Sequence, residues 1–223
     1  MSANNHIIIV AGGTGSRMNN ALPKQFIEIN GKPVIIHTLE KFYSFDPEIK
    51  VYIAIHENYS ELLNSLLKTF FPEKKIQNTV GGETRFHSVK NALALIEDPN
   101  GIVGIHDAAR PMVSIQTIRN CFQTALLKSN AIPAIEINES IRKVNKNGNV
   151  AVNRKEFKII QTPQCFRIDL LKNAFELPYL SEFTDDASVV EKAGHKINLV
   201  EGNPENMKIT YASDLRIAGL FLK

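Results

Sequence analysis

At 223 residues, with 43% hydrophobic and 22% charged residues, the chain has the make-up of an ordinary soluble globular protein with enough length to bury a sizeable core. Its net charge of +3 is too small to argue for a nucleic-acid partner. No stretch approaches the ~18 apolar residues of a membrane span.

The start of the chain passes from "MSANNH" straight into a short apolar run, with no basic segment leading a long apolar one, so a cytoplasmic protein is expected. Residues 7–11, "IIIVA", predict a buried strand, followed by a helix over about 33–43 with Pro33 in its first turn. "IKVYIAI" (49–55) predicts a second strand and "YSELLNSLLKTF" a helix. "KIQNTV" leads into "GGETRFHSVKNALALI", where Val89, Leu93 and Ile96 share a helical face. "GIVGIHD" (101–107) is another buried strand. Ser114 then caps a helix whose stripe is Ile115, Ile118, Phe122 and Leu126. Cys121 falls in that helix and reads as a small hydrophobe; with Cys165 it forms neither a metal-ligand spacing nor a disulfide framework.

Strands alternating with helices predict an α/β fold, a mostly parallel sheet with helices on both faces. Between Ala131 and Gln164 the pattern changes to a hairpin, with Asn147-Gly148 at its turn, and a return strand. A two-stranded arm is marginal alone and needs a surface to pack on, for which a second subunit is the candidate. Helices near 168–176 and 185–193, the strand "KINLVEG" and a last helix from about Ser213 complete one domain over 1–223, with a β-arm at about 134–161.

In an open parallel sheet ligands bind beyond the carboxyl ends of the strands, where the glycine loop "AGGTGSRM" and "HDAARP" both fall. The loop is not a dinucleotide fingerprint, because from Gly13 the third glycine position is Met18, and no G-x-x-x-x-G-K-[ST] string exists. What remains is G-G-x-G-x-R-M followed by "PKQF". Its glycines let amide groups turn toward phosphate oxygens, and Arg17 and Lys24 add two positive charges. Asp107, a carboxylate ending a strand beside a phosphate site, suits Mg²⁺, with an N-cap or turn role as the alternative. Arg110 can reach a second phosphate in bidentate fashion. Arg85 reads equally well as a solvated helix residue, and His106 as a residue that holds its loop rather than one that moves protons.

"AGGTGSRM…PKQF", "GGETRFHSV", "HDAARP", "QTPQCF", "TDDAS" and "EGNPENMKIT" together resemble the 2-C-methyl-D-erythritol 4-phosphate cytidylyltransferase family, in the right order over about residues 7–220. The resemblance implies a Rossmann-like nucleotidyltransferase fold with a dimerising β-arm, CTP and a sugar-alcohol phosphate as substrates, and Mg²⁺ as cofactor. It implies nucleotide contacts from Ala11, Gly12, Gly13, Thr14, Gly15, Arg17, Lys24, Gly81, Gly82, Glu83, Ser88, Asp107, Ala108 and Lys208. Arg17, Lys24 and Lys208 would be catalytic. Asp107, Arg110, Ser140, Arg154, Thr162 and Thr184 would meet the acceptor, Arg154 by entering the neighbouring subunit's site. The family usually has Asp-Thr where this chain has Glu139-Ser140; serine keeps the hydroxyl, and the glutamate carboxylate moves by about one methylene.

The implied reaction joins CTP to 2-C-methyl-D-erythritol 4-phosphate and releases pyrophosphate, a step of the non-mevalonate route to isoprenoid precursors. Three rivals share features with this reading: a ribitol 5-phosphate cytidylyltransferase, a non-catalytic nucleotide-sensing module, and a hydride-transferring dinucleotide enzyme. The missing third glycine disfavours the last. The joint retention of Arg17, Lys24, Asp107 and Lys208 disfavours the sensor.

Overall fold

The computed structural model describes residues 4–13 and 22–222. Thr14, Gly15 and Arg17 of the glycine loop lie outside these residues. In chain order the elements are β1 (Asn5–Ala11), β2 (Glu28–Ile29), β3 (Lys32–Pro33), α1 (Val34–Phe45), β4 (Lys50–Ile55), α2 (Ser60–Phe70), β5 (Ile76–Val80), α3 (Arg85–Ala94), β6 (Ile102–Asp107) and α4 (Ile115–Lys128). Then follow β7 (Asn130–Glu136), β8 (Arg142–Asn145), β9 (Gly148–Ala151), β10 (Lys158–Ile160), β11 (Gln164–Arg167), α5 (Ile168–Ala174), α6 (Asp186–Lys192), β12 (Leu199–Glu201) and α7 (Ala212–Phe221).

Among the described residues, the main sheet runs β10-β7-β11-β6-β1-β4-β5, with β12 added beside β7. β6, β1, β4 and β5 are mutually parallel, while β11 is antiparallel to both β6 and β7. This is the mainly parallel α/β sheet that the alternating pattern predicts, flanked by helices on both faces. The side-chain period of two explains how consecutive isoleucines serve both faces. Ile7 and Ile9 join Val51, Ile53 and Ile55 under α1, α2 and α4. Ile8 points the other way and joins Tyr52, Ala54, Val103 and Ile105 under α3, α5 and α6. Strands buried on both faces are near-continuous apolar runs for this reason.

Local signals set several element ends. Ser114 Oγ accepts the Thr117 amide at 3.0 Å and caps α4. Asp185 and Ser188 form a reciprocal capping box on α6. Pro33 sits one place earlier than expected, at the N-cap of α1. Leu126, expected on the buried stripe of α4, is 58% exposed; Cys121, Phe122 and Ala125 form the buried face there. The arm also differs in detail. Among the described residues β8 and β9 pair only with each other, and Lys146 and Asn147 make the turn, while Gly148 opens β9 at φ +129°, a value that favours glycine.

Candidate active site

Parallel pairing brings the ends of the central strands to one edge. Val10 of β1 is opposite Asp107 of β6, and Ile55 of β4 is opposite Val80 of β5. The chain leaves these ends as Gly12-Gly13, as Ala108-Ala109 and as Gly81-Gly82. A cavity of about 370 Å³ opens between these segments, with Lys24 and Lys208 also in its lining. Of the residues expected to meet a nucleotide, Ala11, Gly12, Gly13, Lys24, Gly82, Glu83, Ser88, Asp107, Ala108 and Lys208 line it. Gly81 backs the wall, its amide bonded to the Ile55 carbonyl at 2.8 Å.

The two glycine segments are braced from behind. Gln25 is buried, and its Nε2 donates to the carbonyls of Ala11 at 2.6 Å and Gly13 at 3.2 Å, fixing the exit of β1. Ser88 Oγ accepts the Gly82 amide at 3.0 Å and donates to the Thr84 carbonyl at 3.0 Å. The Ser88 hydroxyl therefore holds the turn in shape. A Cβ on Gly82 would lie 2.3 Å from the Cβ of His87, which only glycine avoids. The N-terminus of α3, capped by Thr84, opens at this wall with its partial positive charge toward the cavity.

Asp107 is the centre of charge. Its Oδ2 takes Lys208 Nζ at 3.0 Å and Arg110 Nε at 3.1 Å, and its Oδ1 lies 3.6 Å from Arg85 Nε. Burial alone would raise its pKa, but Arg85, Lys208 and Arg110 outweigh it and hold the carboxyl well below the usual range. Lys24 crosses to the same region, donating from Nζ to the Ile209 carbonyl at 2.7 Å, next to Lys208. Arg110 also donates from Nη1 to the Asn206 carbonyl at 2.8 Å and so backs Asp107 from outside the cavity wall.

His106 is buried, and burial lowers its pKa to about 4. The neutral ring fits a single chain of bonds. The Asp107 amide donates to Thr162 Oγ1 at 3.2 Å, Thr162 Oγ1 donates to His106 Nδ1 at 2.9 Å, and His106 Nε2 donates to the Arg110 carbonyl at 3.0 Å. Both ring nitrogens thus hold the "HDAARP" loop. Thr162, expected at the acceptor, is buried behind Asp107 with its hydroxyl engaged on both sides. Ser140 and Arg154 lie on the exposed arm, where Arg154 bonds the Asn138 carbonyl, and Thr184 is exposed before α6; none of the three lines the cavity.

For Arg85 the sequence left two readings open, and the packing decides between them. The residue lines the cavity and is not a solvated helix residue: its Nη1 is 2.7 Å from Asp186 Oδ1. Burial opposes its charge, but Asp186 and Asp107 more than restore it, so the guanidinium stays protonated. Gln25 and Thr84 are further residues that sequence reasoning did not single out, although "PKQF" and "GGETR" contain them.

Among the described residues no three His, Cys, Asp or Glu side chains cluster to bind a metal. One ionised carboxylate at the wall of a cation-lined cavity nevertheless fits Mg²⁺, which is typically held by one or two carboxylates together with substrate phosphates. The arrangement as a whole suits a polyphosphate: amides and a helix N-terminus on one side, lysines on the other, and one acid between them.

The whole chain has relatives. Residues 5–223 match the family model for 2-C-methyl-D-erythritol 4-phosphate cytidylyltransferase. Proteins of that name from Phocaeicola vulgatus and Bacteroides fragilis are 43% identical over 219 residues and 46% identical over 215. These alignments cover 98% and 96% of this chain, and 100% and 98% of the relatives. The crystal structure of the Francisella tularensis 2-C-methyl-D-erythritol 4-phosphate cytidylyltransferase superposes with a TM-score of 0.83 at 35% identity, over 99% of this chain and 100% of that one. With this match running from β1 to the end of the chain, the protein belongs to the 2-C-methyl-D-erythritol 4-phosphate cytidylyltransferase family.

Proposed function

We propose that the protein is a cytidylyltransferase that converts CTP and 2-C-methyl-D-erythritol 4-phosphate to 4-diphosphocytidyl-2-C-methyl-D-erythritol and pyrophosphate in the non-mevalonate pathway. The observation that carries this reading is the convergence of Lys24, Lys208 and Asp107 on one cavity at the strand ends, in a chain that matches the family along its length.

The acceptor's phosphate is largely dianionic at neutral pH, since its second pKa is ~6. An oxygen of that phosphate attacks the α-phosphorus of CTP; a new P–O bond forms as the α–β bridging P–O bond breaks, and pyrophosphate leaves. No general base is needed, in keeping with a His106 committed to its loop. Catalysis then consists of aligning two anions and offsetting charge at the α-phosphorus. Lys208 serves the phosphorus under attack, and Lys24 with Arg17 serves the departing pyrophosphate. Gly81, Gly82 and Glu83 take the base and ribose. Asp107 is the residue that would hold Mg²⁺, whose charge would offset negative charge on the phosphate oxygens. For Lys208 this means leaving Asp107 for the substrate, which its 43% exposed side chain permits.

The arm carries Val144, Val150, Phe157, Ile159 and Ile160 exposed, an apolar surface that a second copy of the chain would cover. In that homodimer Arg154 and Ser140 reach the acceptor side of the partner's cavity. No helix among the described residues is long and apolar enough to cross a membrane, and we place the enzyme in the cytoplasm. The test is pyrophosphate release from CTP with each of two acceptors. Rapid release with 2-C-methyl-D-erythritol 4-phosphate is expected; preference for ribitol 5-phosphate would reassign the acceptor, and no release with either would remove the enzyme reading.

A further inference from the structure

The reaction scheme gives Arg85 no part, yet its surroundings are built. Its guanidinium joins two carboxylates from distant parts of the chain, Asp186 Oδ1 at 2.7 Å from Nη1 and Asp107 Oδ1 at 3.6 Å from Nε. Asp186 is 1% exposed, and its Oδ2 has no hydrogen-bond partner among the described residues. A carboxylate buried with one oxygen unpartnered is a poor way to stabilise a fold, because apolar side chains of similar size do as well or better. Arg85 itself remains 27% exposed on the cavity side. The pair thus presents a fixed cation to the site rather than filling the core.

The two oxygens of Asp107 are held differently. Oδ2 shares Lys208 and Arg110, and Lys208 is the side chain needed at the phosphates once substrate arrives. Arg85 on Oδ1 cannot follow the substrate, because Asp186 anchors it. The anchor is rigid in turn: Phe86, the next residue, stacks on Phe175 at 4.8 Å and on Phe183 at 5.7 Å. Those contacts hold the segment before α6, and with it Asp186, against α3.

We propose that Arg85 is a positioning residue for nucleotidyl transfer: tethered by Asp186, it fixes the Asp107 carboxylate in the orientation that receives metal-bound phosphate. This rests on the reading of Asp107 as the metal-holding residue. Arg85 contributes through Asp107, so its effect must vanish when the Asp107 carboxylate is absent.

The test is a double-mutant cycle in the full-length protein with Arg85→Lys and Asp107→Asn. Lysine keeps a charge opposite buried Asp186, so the fold is retained, but a single ammonium cannot span two carboxylates as the planar fork does. Arg85→Lys is expected to lower kcat/KM by about 10–100-fold, and to weaken Mn²⁺ binding in the presence of CTP, read by electron paramagnetic resonance, to a similar degree. In the Asp107→Asn background the same substitution is expected to change kcat/KM by less than about threefold. Asp186→Asn, which removes the anchor's charge, is expected to give a smaller loss that also disappears without the Asp107 carboxylate. Equal losses from Arg85→Lys in both backgrounds, or wild-type behaviour of Arg85→Lys, would overturn the proposal while leaving Asp107 in its role. Wild-type kcat/KM for Asp107→Asn alone would instead remove the role of Asp107, and this inference with it.

Discussion

Replacing Gly82 with alanine puts a Cβ 2.3 Å from the Cβ of His87, 2.9 Å from its carbonyl carbon and 3.1 Å from its Cα. These atoms belong to the first turn of α3 and are not the end of a flexible side chain, so the glycine segment has to move. Ordinary contact requires a displacement of about 1 Å, which also breaks the 3.0 Å bond from the Gly82 amide to Ser88. Overpacking of this kind costs about 1–3 kcal/mol. For a chain of this size that lowers Tm by about 3–9 °C. A misplacement of about 1 Å in a positioning segment costs on the order of 10²-fold in rate, and here it falls on the wall expected to hold the nucleotide. Gly12→Ala is the comparison, because among the described residues its Cβ would meet Ser88 Oγ at 3.4 Å, an ordinary contact. The assays are differential scanning fluorimetry without ligand and pyrophosphate release at varied CTP. Gly82→Ala should lose both stability and kcat/KM for CTP, whereas Gly12→Ala should keep its Tm. Wild-type Tm and kcat/KM in Gly82→Ala would refute the argument that close packing of this turn shapes the site.

Lys24→Ala and Lys208→Ala should each lower kcat by two or more orders of magnitude, about 2.7 kcal/mol or more, measured as pyrophosphate release at saturating substrates. Thr162→Val leaves the Asp107 amide without its acceptor and His106 Nδ1 without its donor, and should lower stability by about 1–3 kcal/mol in urea titrations. Its acceptor KM should not rise more than its CTP KM, since Thr162 is not on the cavity wall. His6 is buried against Tyr52 with neither ring nitrogen hydrogen-bonded among the described residues, and burial, then Lys50, lower its pKa from 6.5 to about 4. The unfolded chain therefore binds more protons between those values, so stability is full above 6.5 and falls as pH drops toward 4, on the order of 2–3 kcal/mol from this residue. His6→Phe should flatten that part of the slope in chemical denaturation across pH. Replacing Val144 and Phe157 of the arm with lysine should shift the protein toward monomer in light scattering and reduce turnover with it, because Arg154 then no longer reaches a partner's cavity.

The sheet was readable from residues such as Ile7-Ile8-Ile9, because an unbroken apolar run between helical segments is what burial on both faces requires. Ser114 as a cap was readable too, because capping is a local bond between neighbours in sequence. Leu126 was misread because, after Ile118 and Phe122, both 125 and 126 fit helical spacing, and only packing against the sheet picks Ala125 as the buried one. That the glycine segments, Lys24 and Lys208 meet at the strand ends was legible, because residue type and strand position carry that information. Arg85 and Thr162 were not: one depends on Asp186 and the other on His106, partners that only the packed chain brings near. A guanidinium at a helix start reads as well in solvent as in a site until those neighbours are known, and a hydroxyl before a proline shows nothing of the bonds it makes.

The central claim, that Lys24, Lys208 and Asp107 form a nucleotide site at the strand ends, is tested most directly by a crystal structure of the protein with CTP and Mg²⁺. The triphosphate should lie between the glycine segment after β1 and Lys208, with the cytosine against Gly81–Ser88 and Lys208 turned from Asp107 toward phosphate. CTP bound elsewhere, or a cavity still closed by the Lys208–Asp107 pair at saturating nucleotide, would contradict it.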